Sequence, residues 1–153
     1  MLRSKKRLIA KYGRDFYRRF SSLSSRHLSQ VIPKTPSIGN TIFSFNYAFT
    51  PAYIAWYKAA REIGLGDGEL DKLLWLMNER IIAALPKCLA KLFMKIYLKS
   101  FRKRAPEHEM LCKEGKVHDY DYILRFRDIS ETTFEIDIRR CGMMTLAKDF
   151  EAE

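Results

Sequence analysis

Strict alternation over Thr132–Met144 (TTFEIDIRRCGMM) constrains this chain more than any other stretch. Phe134, Ile136 and Ile138 fall on one face and Glu135, Asp137 and Arg139 on the other, the period of two that a half-buried strand requires. Carried one residue further, the alternation returns Arg140 to the apolar side, so Arg140 rather than Arg139 is expected to turn inward. At the exit stand Arg139, Arg140, Cys141 and Gly142. Two guanidinium forks suited to a carboxylate therefore lie beside a soft sulfur nucleophile.

The run before it, Asp119 to Arg127 (DYDYILRFR), alternates as well, with Tyr120, Tyr122, Leu124 and Phe126 against Asp121, Arg125 and Arg127. Asp128, Ser130 and Glu131 supply turn residues between the two runs. The pair reads as an antiparallel hairpin with a loop of about 3 to 5 residues. A lone hairpin is marginal in water and needs an apolar partner. The upstream chain must supply it.

A chain of 153 residues is the size of one domain and can bury a core without staples. No apolar run reaches the length needed to span a bilayer. Cys88, Cys112 and Cys141 are odd in number and lack CxxC spacing, and the start carries no secretory signal pattern, so a cytoplasmic protein with free thiols is expected. The formal charge of +10 is uneven: residues 1–34 hold ten Lys/Arg and one acid. The basic character thus belongs to the N-terminal segment, where contact with an anionic membrane surface competes with a simply solvated face.

Along the chain, Leu8, Ile9, Tyr12, Phe16, Phe20 and Leu23 recur at helical spacing from Leu2 to about Ser29, with Gly13 and the SSLSS run as weak points. That amphipathic helix is expected to lie on a membrane or to cap the domain with its apolar stripe. Residues 33–40 (PKTPSIGN) read as a loop, and Thr41 to Phe49 is open between strand and buried helix. Thr50-Pro51 then opens a helix that stops at Gly64. Asp67 caps the next, to about Leu85, on a stripe of Leu70, Leu73, Leu74, Met77, Ile81 and Ile82. A third is expected from Lys87 to Arg104, with Leu89, Leu92, Phe93, Ile96, Tyr97 and Phe101 as its core stripe and the preceding helix as its packing partner. It also carries Lys87, Lys91, Lys95, Lys99 and Lys103 at i, i+4 spacing, a mildly self-repelling row that reads as a solvated face or an electrostatic rim.

Residues 106–116 are expected to form a polar linker containing His108 and Cys112, with His118 just beyond. These three do not reach the usual ligand set of a zinc site, and no metal is expected. After Cys141-Gly142 the tail begins a helix and stops. A hairpin with one short helix leaves strand edges open, so the chain reads as cut short and prone to self-association.

The order of a basic helix, TPAYIAWYKAAREIGLGDGE, LDKLLWLMNERIIAALP and FEIDIRRCGM resembles the bacterial L-2-amino-thiazoline-4-carboxylic acid hydrolase family, best over residues 40–150. The resemblance implies an α+β fold with helices packed on a sheet, and hydrolytic opening of a cyclic amidine-like thioether ring toward L-cysteine. Family members continue past this point with a further Cys-Asp pair and a Cys-Asp-Phe-like strand, which are not present here. The division expected is a basic helix over 1–34 and a hydrolase-like α+β domain over 35–153.

Three readings of function stand beside one another, the third being that the basic arm and the lysine row bind an anionic membrane or nucleic acid. As an enzyme, Cys141 is the nucleophile while Arg140 or Arg139 holds the substrate carboxylate; as a binding module, Tyr53 and Trp56 with the hairpin's apolar face enclose a small ligand. The alternative for Cys141 is a small buried hydrophobe. No nucleic-acid motif of recognisable spacing is present, so no specific nucleic-acid partner is expected. The partners expected are a small carboxylate-bearing molecule and a second copy of the chain.

Overall fold

Apolar spacing sets where the helices form, and backbone contacts divide them into two compact units. The computed structural model describes residues 2–83, 86–130 and 133–152, without the side chains of 2–4, 79–83 and 87. Residues 1–35 and 51–87 form one unit; residues 36–50 and 88–151 form the other. The basic N-terminal segment shares its unit with residues 51–87. The fold is α+β, mainly helical with one small antiparallel sheet among the described residues.

In the first unit the long N-terminal helix is two helices, α1 (Leu2–Tyr12) and α2 (Arg14–Val31). Gly13 separates them with φ +91°, a backbone conformation that costs glycine little and other residues more. The apolar stripe caps a core. Leu8 and Phe20 pack with Ala59, Ala60, Leu70 and Leu73, and the Tyr12, Phe16 and Phe20 rings follow one another at 4.6 and 5.8 Å. The helix α4 (Thr50–Ile63) buries Ile54, Ala55, Ala59 and Ala60 and ends at Gly64. Next, α5 (Asp67–Ala83) buries Leu70 and Leu73, with Leu74 and Met77 at the core's edge. The side chains of Ile81, Ile82 and Lys87, and residues 131 and 132 altogether, lie outside what is described.

The second unit opens with the stretch that sequence left between strand and helix. Thr41 to Phe49 forms turns around a short helix, α3 (Ser44–Tyr47), with the Ser44 hydroxyl bridging the Gly39 and Thr41 carbonyls. A long helix follows, α6 (Lys87–Lys113), and it runs straight through Pro106. The expected linker at 106–116 is thus mostly helix. Proline there removes one backbone hydrogen bond and crowds the preceding turn. Phe101, Ala105 and His108 are all buried along this part of α6, and their burial outweighs that cost.

The hairpin forms as its alternation requires. Strands β1 (Ile123–Asp128) and β2 (Phe134–Arg140) pair antiparallel with Leu124 opposite Ile138 and Phe126 opposite Ile136. An irregularity at Ile123/Leu124 leaves Arg139 as the extra residue of β2. The hairpin's apolar face lies on Ile42, Phe43, Phe101 and Ala105, and the Phe43 ring stacks on Tyr122 at 4.0 Å. Fully burying side chains such as Phe43, Phe101 and Leu124 stabilises by about 1.5–3 kcal/mol each. Arg102 ties the hairpin loop down through Asp128 at 2.9 Å and the Ser130 and Thr133 carbonyls. A final helix, α7 (Gly142–Asp149), follows β2 directly.

The core stripe expected at the start of α6 is corrected. Leu89, Leu92, Phe93 and Ile96 are 45–60% exposed, and burial begins only at Tyr97 and Phe101. The loop and hairpin of this unit pack on the later turns and leave the first turns uncovered within it. Among the described residues no helix is long and apolar enough to cross a membrane.

Candidate functional site

Two cavities flank Arg104 in the second unit. One, of about 160 Å³, lies among residues 38–42, the α6 turn at 104–111 and the segment 116–121. The other, of about 280 Å³, is walled by Ile42, Phe45, Tyr97 and Phe101, with Ser44 and Ser100 as polar points. Asn40, Thr41, Ile42 and Arg104 line both. The local sequence explains this floor. Thr41 N–H donates to Ser44 Oγ at 2.7 Å and Phe43 N–H donates to Thr41 Oγ1 at 3.2 Å, a hydroxyl-pinned turn that presents Asn40 and Thr41 toward α6.

Arg104 donates one Nη2–H to the Asn40 carbonyl at 2.9 Å. A guanidinium carries five donors, so a planar fork remains for an anion. Lys116 and His118 add donors at the smaller cavity. Arg104 and His108 stand one helical turn apart on α6, which brings both to the same wall.

His108 is 4% exposed, and its Nε2 lies 2.9 Å from the Tyr122 carbonyl. A carbonyl only accepts, so Nε2 carries the proton and Nδ1 is an acceptor in the neutral ring. Among the described residues Nδ1 has no hydrogen-bond partner. The Cys112 thiol donates to the same Tyr122 carbonyl at 3.5 Å. Asp121 is 1% exposed; its Oδ1 accepts the Tyr122 N–H at 2.7 Å and the Thr41 hydroxyl at 3.3 Å. It stitches the 38–45 loop to the hairpin. Asp121 therefore does not sit on the hairpin's polar face, because it precedes β1 and faces the loop instead.

Glu109 lies behind the site on α6. The Lys113 ammonium holds its carboxyl below the usual carboxylate range, helped by the Phe126 N–H that it accepts. Burial pushes the Tyr122 phenol well above its ordinary value, with the neighbouring Cys141 thiol adding to the rise. Among the described residues no three His, Cys, Asp or Glu side chains converge as a metal site.

The residues singled out by sequence fall in four places. Cys141 is half-buried before α7, against the core that holds Tyr122, and lines neither cavity. Arg140 is half-buried opposite Ile123, past the extra residue Arg139 that interrupts the alternation, and its donors meet the backbone: Nε reaches the Asp121 carbonyl at 3.3 Å and Nη2 the His118 carbonyl at 2.8 Å. Arg139 is exposed and pairs with Asp137 at 3.3 Å. Tyr53 and Trp56 belong to the other unit, where the Tyr53 hydroxyl bonds Asn78 and the two rings meet edge to face at 5.5 Å.

Sequence reasoning missed Asn40, Thr41 and Arg104. Arg104, His108 and Cys112 repeat at i, i+4, a signal hidden by treating Pro106 as a helix end. Comparison with protein-family models, with curated proteins and with solved structures finds no match to this chain. The fold and cavities define an α+β protein with a small, cation-bearing pocket.

Proposed function

We propose that the second unit binds a small carboxylate-bearing molecule beside Arg104. The observation that carries this reading is the guanidinium set between two cavities, one that adds Lys116 and His118 beside the acids Glu107 and Asp121 and one walled by aromatic rings. An apolar pocket with a few convergent polar groups suits a small organic ligand. The carboxylate meets Arg104, and the ligand's ring lies against Phe45 and Tyr97. Cavities of 160 and 280 Å³ suit one small ring rather than a nucleotide. The free thiols Cys88, Cys112 and Cys141 support a reducing, cytoplasmic setting for this ligand. Calorimetric titration with a panel of five-membered heterocyclic carboxylates tests the reading. Saturable binding by the natural chain and its loss in Arg104→Ala support it; equal binding by the two proteins contradicts it.

A second reading is hydrolytic ring opening of L-2-amino-thiazoline-4-carboxylate with Cys141 as nucleophile. Its support is the resemblance of residues 40–150 to that hydrolase family and the half-buried Cys141 sulfur beside the Tyr122 phenol. Chromatography of that substrate with the chain and with Cys141→Ala distinguishes the two readings. Turnover confined to the natural chain favours hydrolysis; binding without product favours the binding domain.

A further inference from the structure

Side chains of α6 meet the β1 edge of the hairpin, and the hydrogen bonds show which backbone groups of β2 face the other way. The Phe126 N–H leaves the ladder to donate to Glu109 Oε2 at 3.2 Å, so the Phe126–Ile136 pair is not hydrogen-bonded across the strands. The N–H and C=O of Ile136 must then point away from β1. With a period of two, those of Phe134 and Ile138 point the same way. None of these groups has a hydrogen-bond partner among the described residues. Glu109 meets the Phe126 N–H on the β1 edge and His108 the Tyr122 carbonyl just before it, whereas β2 presents a row of donors and acceptors that no side chain among the described residues meets.

The side chains of β2 are complementary to themselves when the strand is reversed. With Asp137 as the centre, Glu135 falls opposite Arg139 and Ile136 opposite Ile138. Glu135, Asp137 and Arg139 are exposed, and Ile138 is 49% exposed, large for the apolar side of a strand. We propose that two copies of this chain pair through β2, antiparallel about a two-fold axis at Asp137, joining their hairpins into one four-stranded sheet.

In that register Ile136 and Ile138 of each copy exchange backbone hydrogen bonds with Ile138 and Ile136 of the other. Two Ile–Ile contacts cover the exposed Ile138, and two Glu135–Arg139 pairs form on the opposite face. Opposite charges and apolar pairs placed directly across strands are the favourable cross-strand combinations. The two Asp137 carboxylates meet at the axis, a like-charge contact. Each is offset by its own Arg139 at 3.3 Å and by Arg125 opposite it in the hairpin. The irregularity at Arg139 lies outside the four central hydrogen bonds. The positive charge that would repel a second copy is concentrated in residues 1–34; the remainder is nearly balanced. An isologous pairing of this kind closes after two copies and leaves no β2 edge for a third. A hairpin too small to be a stable sheet alone gains two neighbours.

Sedimentation velocity of the full chain over a range of concentrations tests the proposal, with far-UV circular dichroism to show that each variant is folded. The natural chain dimerises. Glu135→Arg and Arg139→Glu each set like charges opposite one another and weaken the dimer at least about tenfold. An equimolar mixture of the two variants restores it, because every cross-strand pair is again opposite in sign. A natural chain that stays monomeric at the highest concentration overturns the proposal. So do single variants that dimerise as well as the natural chain, and so does a mixture that remains monomeric.

Discussion

Arg140 and Arg139 are neighbours with opposite duties. Arg140 clamps the 118–121 segment by donating to two backbone carbonyls from a half-buried position, and hydrogen bonds of a charged donor are worth about 1.5–3 kcal/mol. Arg140→Met should therefore lower the stability measured by urea unfolding by about 2 kcal/mol, while Arg139→Met stays within about 0.5 kcal/mol, as exposed ion pairs do. Alternation singles out Arg140, but it carries no sign of the extra residue at Arg139 that interrupts the period there, or that Arg140 is spent on backbone. Tyr47 offers a test against pH. Its hydroxyl is buried without a partner among the described residues, and burial pushes its pKa from 10.0 up to about 12, with Tyr120 and Asp149 adding to the rise. The folded state holds this proton more tightly than the unfolded state, so the stability is fully present below pH 10 and is lost as pH rises through about 12. Alkaline unfolding followed by circular dichroism should show that loss, and Tyr47→Phe should remove its share, the raised Tyr122 and Tyr120 phenols supplying the rest, without destabilising the protein at pH 7.

At the scale of elements, the strands were legible because apolar residues at a period of two suit a half-buried strand and do not suit a helix, whose period is 3.6. The hairpin formed where Phe134, Ile136 and Ile138 alternated with charged residues. The end of α6 was not legible. Pro106 is a strong local stop signal, and only the burial of Phe101, Ala105 and His108 by distant segments overrides it. Replacing Pro106 with Ala should thus raise stability by about 1–3 kcal/mol in thermal or urea unfolding, by restoring the missing donor. Gly142 stood out in the sequence only as a small residue beside Cys141. Its reason is contact: a Cβ at this position would lie 2.0 Å from the Tyr120 carbonyl oxygen, so only glycine lets α7 start against the 118–122 segment. Gly142→Ala should cost about 3 kcal/mol or more, read as a lower unfolding midpoint.

For the molecule as a whole, the sequence order hides the assembly. Each unit combines segments that are far apart in the chain, and the floor of the pocket joins Asn40 to Arg104 across 64 residues. Local periodicity carries no information about such a meeting, which is why Cys141 and Arg140 stood out in the sequence and Arg104 did not. Tyr53 and Trp56 drew notice for their aromatic character; Trp56 packs against the core of the first unit and the Tyr53 ring meets it edge to face. The central claim is that Arg104 and the cavities on either side of it receive a small carboxylate. Backbone amide chemical-shift mapping during titration with a five-membered heterocyclic carboxylate measures this most directly. The account predicts saturable shifts confined to residues 38–45, 97–111 and 116–121 and abolished in Arg104→Ala; shifts centred on Tyr53 and Trp56, or unchanged in that variant, would contradict it.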